Sequence, residues 1–104
     1  MQFIVKATIP VKAGNDFVRN PQMKARLDQV MADIKPEAAY FAVERGQRTI
    51  YLFVRVPQVH EIPRVAEPLW LAFEADVEFI PVMTREDLDA AGPFFEPIVQ
   101  HYPG

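Results

Sequence analysis

The chain contains no cysteine, which excludes both disulfide staples and thiolate metal sites. No apolar run approaches the ~20 residues that a membrane span needs. Neither sign of charge is in large excess: 11 Lys and Arg stand against 14 Asp and Glu, a net −3. The basic residues are scattered, so there is no electrostatic case for nucleic acid or an anionic membrane surface as partner. Of the two histidines, His60 lies next to Glu61 and reads as a solvated residue, and His101 makes no recognisable ligand spacing with Asp or Glu, so no metal or cofactor is expected. The opening segment alternates and carries Lys6, unlike the continuous apolar core of a signal peptide. These absences lead to the expectation of a soluble, cytoplasmic protein.

What the chain does have is apolar surface in a regular pattern. Half of its 104 residues are hydrophobic, enough for one domain over 1–104 with a core of ordinary size. The clearest pattern lies between Ala38 and Val56. Ile50, Leu52, Val54 and Val56 alternate with Thr49, Tyr51, Phe53 and Arg55, so a strand here covers a core with one face and presents aromatic and cationic groups on the other. Ala39–Glu44 is the preceding strand of a hairpin that turns through Arg45, Gly46 and Gln47, with Gly46 supplying a positive φ. An exposed hairpin tip also accounts for the basic cluster at that turn.

Gln2–Ile9 alternates in the same way and is ended by Pro10, predicting a first strand. Val11–Arg19 reads as a loop. Asn20 is an N-cap candidate with Pro21 at the first helical position, and Leu27, Val30, Met31 and Ile34 form an apolar stripe, predicting a helix from Pro21 to Ile34. A second helix is expected over Glu61–Leu71, kinked or broken at Pro68, with Trp70 in the core and His60 solvated near its start. Asp76–Met83 is a fourth strand, and Pro81 within it requires a sheet edge. Thr84–Asp87 has the form of a capping box that opens a short helix closed by Gly92 and Pro93. The end of the extension 84–104 carries Phe94, Phe95, Ile98, Val99 and Tyr102, too apolar to dangle in water; it should pack on the sheet or on another subunit.

The order β-α-β-β-α-β is the ferredoxin-like α+β plan, with sheet order 4-1-3-2 and helices on one face. The open face then carries Ile4, Lys6, Thr8, Tyr40, Ala42, Glu44, Tyr51, Phe53, Arg55, Glu78 and Ile80. A face this apolar predicts a homodimer stacked sheet on sheet, with room for a small-molecule ligand between. Lys6 and Glu78 read most simply as a cross-strand ion pair, and Tyr40, Tyr51 and Phe53 as interface aromatics.

The motif Met1-x-Phe3-x-Val5-Lys6-x-Thr8, followed by Gly46, Tyr51, Val56-Pro57-x-Val59, Ile62, Leu69, Leu71, Asp76 and Glu78, resembles the muconolactone isomerases of the dimeric α+β barrel superfamily. The resemblance implies a barrel-forming dimer and a cofactor-free proton shift in a lactone or carboxylated small molecule. On that reading Glu78 is the general base, Tyr51 the proton donor and Lys6 an electrostatic catalytic group, while Arg55, Tyr40, Phe53 and Thr8 bind substrate. A non-catalytic ligand-binding or purely structural homo-oligomer is the alternative. An RNA-recognition module shares the strand order and the aromatics on the third strand, but its basic-glycine start is missing and the net charge is wrong. Nor does the chain carry the asparagine, histidine and tryptophan cluster of the superfamily's monooxygenases.

Overall fold

The computed structural model describes residues 1–104. Its elements are β1 (Gln2–Thr8), α1 (Val11–Arg19), α2 (Met23–Ile34), β2 (Ala38–Glu44), β3 (Gln47–Arg55), a 3-10 turn at Val59–Glu61, α3 (Ile62–Phe73), β4 (Asp76–Val82), α4 (Arg85–Ala90) and α5 (Gly92–His101). The strands form one antiparallel sheet in the order β2-β3-β1-β4. This is the ferredoxin-like arrangement, and it leaves Pro81 on an edge strand, where its missing N–H breaks no ladder.

Period-two alternation decides the core. Phe3, Val5 and Ala7 of β1 and Ile50, Leu52 and Val54 of β3 are buried beneath Val30 and Ile34 of α2 and Val65, Leu69 and Phe73 of α3. The hairpin between β2 and β3 is tighter than the sequence suggests. Glu44 pairs directly with Gln47, so the turn is Arg45–Gly46 alone, with φ of 54° and 75°; two consecutive positive values match the twist of the flanking strands. At the other end of the sheet, Arg64 of α3 donates to the carbonyls of Asp33 and Ile34 at the end of α2 and of Arg55 at the end of β3. One guanidinium thus satisfies backbone acceptors that the helix end leaves open.

Several expectations need correction. Val11–Arg19 is a helix, not a loop. Gly14 and Asn15 weaken its intrinsic propensity, but Phe17 packs on Phe73 with ring centroids 4.7 Å apart, and tertiary burial outweighs propensity. The following helix accordingly starts later, at Met23. Asn20 caps the turn between the two helices, its Oδ1 accepting the Gln22 N–H at 2.8 Å. Pro68 does not break α3, which runs through to Phe73. Trp70 is 46% exposed: the buried stripe is Val65, Ala66, Leu69 and Phe73, and Trp70 lies about 100° round the helix from Leu69. His60 is exposed, as expected.

The capping box is present, with Thr84 Oγ1 accepting from the Asp87 N–H and the Asp87 carboxylate accepting from the Thr84 N–H. The apolar end of the chain is helical, yet it does not fold back on the sheet: no residue of α4 or α5 is buried. The molecule measures 60 × 28 × 20 Å with a radius of gyration of 17.7 Å, against roughly 13 Å for a compact domain of this length.

Candidate functional site

The open face is organised in rows, because residues in register on antiparallel neighbours share a side of the sheet. Tyr40 pairs with Tyr51, Tyr51 with Lys6, and Lys6 with Glu78. These four candidates therefore form one row across β2, β3, β1 and β4. The next row toward Gln2 is Ala38, Phe53, Ile4 and Ile80; the next in the other direction is Ala42, Thr49, Thr8 and Asp76. Phe53 and Thr8 thus flank the central row on opposite sides. Arg55, in register with Gln2, lies two rows from it.

Polar and apolar groups separate along this face. Ile4, Tyr40, Tyr51, Phe53 and Ile80 line a shallow concavity of about 530 Å³ with a wholly hydrophobic and aromatic wall. Tyr40 stands edge-on to Phe53, with centroids 6.2 Å apart. On the other side of the central row the charges gather around Glu44. Its Oε1 accepts the Tyr51 hydroxyl at 2.7 Å, and its Oε2 pairs with Lys6 Nζ at 2.5 Å. The ammonium also lies 5.8 Å from the centroid of the Tyr51 ring.

Glu44 is the residue that sequence reasoning placed on this face without assigning it a role. The signal was its position as last residue of β2, on the same side as Tyr40. Its reach over β3 to Lys6 is not visible in any spacing. Its consequences for charge are clear. The hydrogen bond from Lys6, reinforced by the one from Tyr51, holds the Glu44 carboxyl below the usual carboxylate range. The same contact raises Lys6, against partial desolvation, with a smaller contribution from the charge of Glu78. Tyr51 is raised as well, first by its hydrogen bond to Glu44 and then by desolvation.

Lys6 and Glu78 are opposite each other in register but do not form the anticipated ion pair, since Lys6 is committed to Glu44. The Glu78 carboxylate is exposed at the end of the row and makes no ion pair. Arg55 is paired with Glu37 at 3.3 Å and stands four residues along β3 from Tyr51, about 13 Å. Within one chain, then, Lys6 and Arg55 do not converge on a single small anion. The structure brings together Lys6, Tyr51, Tyr40 and Glu78 and leaves Arg55 outside.

A second cavity, of about 350 Å³, lies on the other side of the sheet, between β2 and the α1–α2 pair. Its walls are Phe17, Val18, Met23, Leu27, Phe41 and Val43, with Arg48 at its rim. Arg48 is the one charged group in its lining and the cavity carries no acid, so it offers no acid-base pair. No three His, Asp or Glu side chains converge anywhere to hold a metal ion, and no helix is long and apolar enough to cross a membrane. Comparison of the chain with protein-family models, with curated proteins and with solved structures finds no significant match to any of them.

Proposed function

We propose that two copies of this chain stack their open sheet faces and enclose a small amphipathic molecule, a lactone or a carboxylated compound, on which they carry out a cofactor-free proton shift like that of the muconolactone isomerases. The observation that carries this reading is the row Tyr40, Tyr51, Lys6 and Glu78, set between an apolar wall and a charged cluster. The apolar wall holds the hydrocarbon part of a ligand, and Lys6 attracts its carboxylate or developing enolate. Glu78, free of other partners, takes the proton; Tyr51 returns one to the substrate as its hydroxyl turns from Glu44, and exchange with solvent then removes the proton from Glu78 and restores that of Tyr51.

A second reading draws on the same cluster. Tyr51 already donates its proton to Glu44 and is a weakened acid, which favours a site that orients a ligand without transforming it. The two readings separate in one experiment. The protein is incubated in D2O with an unsaturated γ-lactone bearing a carboxylate side chain, while light scattering reports its mass. A dimer that incorporates solvent deuterium into the lactone is the expected result. A dimer that binds the lactone without exchange establishes the non-catalytic reading, and a monomer that does neither removes both.

A further inference from the structure

The helix α5 leaves a run of large apolar side chains uncovered. Phe94, Phe95, Ile98 and Val99 of the helix and Tyr102 just after it are all at least half exposed, and at 100° per residue the four helical ones fall within one stripe about 140° wide. Glu96 and Gln100 lie outside that stripe. A helix so patterned is built to lie in a groove, yet no part of it is buried in its own chain.

The matching groove is the cavity between β2 and the α1–α2 pair. Its walls are the side chains of Phe17, Val18, Leu27, Phe41 and Val43, and Phe41 and Val43 are 61% and 79% exposed because neither helix reaches over edge strand β2. Its one charged group, Arg48, is turned aside: it lies across Gly14 and donates to Asn15 Oδ1 at 3.1 Å. The open sheet face is a poorer seat for α5, since an apolar helix there would strip water from Lys6, Glu44 and Glu78 without replacing it.

The groove that can take the whole of α5 belongs to another copy. β4 leaves the sheet at the end marked by Gln2, whereas the groove opens at the opposite edge and the opposite end, beside Thr49 and Ile50. The straight line between these corners is about 25 Å at ordinary strand rise and spacing, and the path over the helical layer is longer. Residues 83–91, with α4 formed, span only about 19 Å, so within one chain the first turn of α5, with Phe94 and Phe95, would be used up in bridging the gap and could not be seated in the groove. We therefore infer that α5 of one chain docks into the β2/α1–α2 groove of a second chain, and reciprocally. Two tails seated in two grooves bury on the order of the 1,600 Å² found in stable interfaces. This exchange is independent of the sheet-on-sheet pairing and of any ligand.

The lack of native cysteine makes the test clean. Val43→Cys and Ile98→Cys are introduced together in the full chain and the protein is oxidised under mild conditions. A covalent dimer at twice the 11.9 kDa chain mass is expected, with none formed by the control pair Gln58→Cys and Ile98→Cys. A disulfide closed within one chain, equal cross-linking by both pairs, or no cross-link overturns the inference. Ile98→Glu and Phe41→Glu, measured separately, are each expected to weaken self-association about tenfold or more with the circular dichroism spectrum unchanged. Both sites are exposed in the single chain, so a loss of fold is not anticipated. Self-association unmoved by either change also overturns the inference. Because neither residue is on the open sheet face, these results are separable from the outcome of the lactone experiment.

Discussion

Lys6 and Glu44 form an ion pair across an intervening strand: β1 carries the ammonium, β2 the carboxylate, and the Tyr51 side chain of β3 lies beneath both. Two long side chains thereby tie together strands that share no backbone hydrogen bond, and they do so on a face with no helix above it.

The three groups of this cluster give the folded chain a defined pH window. Glu44 is held below its ordinary range, so its contribution is present above about pH 4.3 and lost as pH falls through the lowered value. Lys6 and Tyr51 are held above theirs, so their contributions are present below about pH 10 and lost as pH rises through the raised values. Denaturant unfolding of Glu44→Gln beside the unsubstituted protein should show a stability gap that is widest at neutral pH and closes at both extremes. A gap independent of pH would mean that Glu44 acts through packing rather than charge. The Tyr51 hydroxyl, followed by NMR of the ring carbon, should titrate at lower pH in the Glu44→Gln variant.

If the face is catalytic, Glu78→Gln should cost at least about a hundredfold in turnover, the usual range for removing a positioned general base. Dimer mass and circular dichroism should not change, because Glu78 is exposed and makes no ion pair in the single chain. Full turnover in this variant would assign the base elsewhere. Arg55→Ala, by contrast, should leave the affinity for a small carboxylate close to unchanged, as measured by calorimetry, since Arg55 stands two rows away and is engaged by Glu37.

The contrast between Phe73 and Trp70 tests the packing of α3. Phe73 is 2% exposed and closes the core under Phe17, so Phe73→Ala should lower stability by about 3–5 kcal/mol through lost burial and an unfilled cavity. Trp70→Ala should cost under about 1 kcal/mol in the monomeric chain despite the larger side chain, since the ring is half in water. Thermal melts of the two variants at equal concentration decide the order.

Arg45 occupies the left-handed region at φ 54°, where a residue with an ordinary side chain is strained and asparagine is accommodated. Arg45→Asn should therefore raise stability by roughly 0.5–1 kcal/mol. A fall in midpoint on denaturant unfolding would show that the arginine contributes more through its charge beside Glu44 than it costs in backbone strain.

The amino-acid sequence alone made the sheet, its order and its two faces legible. Alternation at Phe3, Val5 and Ala7 and at Ile50, Leu52 and Val54 is a local signal with period two, Pro81 marks an edge, and Leu27, Val30, Met31 and Ile34 mark a helix face. It also placed Tyr40, Tyr51, Lys6 and Glu78 on one side, because register follows once the burial pattern and the hairpin turn are known. The rest followed from contacts between distant parts of the chain. The helix at Val11–Arg19 exists because Phe17 finds Phe73, a contact between residues 56 positions apart that no local propensity encodes. Trp70 turned outward because Leu69 and Phe73 set the rotation of α3. Lys6 chose Glu44 over its register partner Glu78 through side-chain reach across a strand, which depends on rotamers and not on spacing. The apolar residues of α5 were plain in the sequence, but their separation from the body was not: hydrophobicity says that a surface must be covered, and only geometry says that its own chain does not cover it.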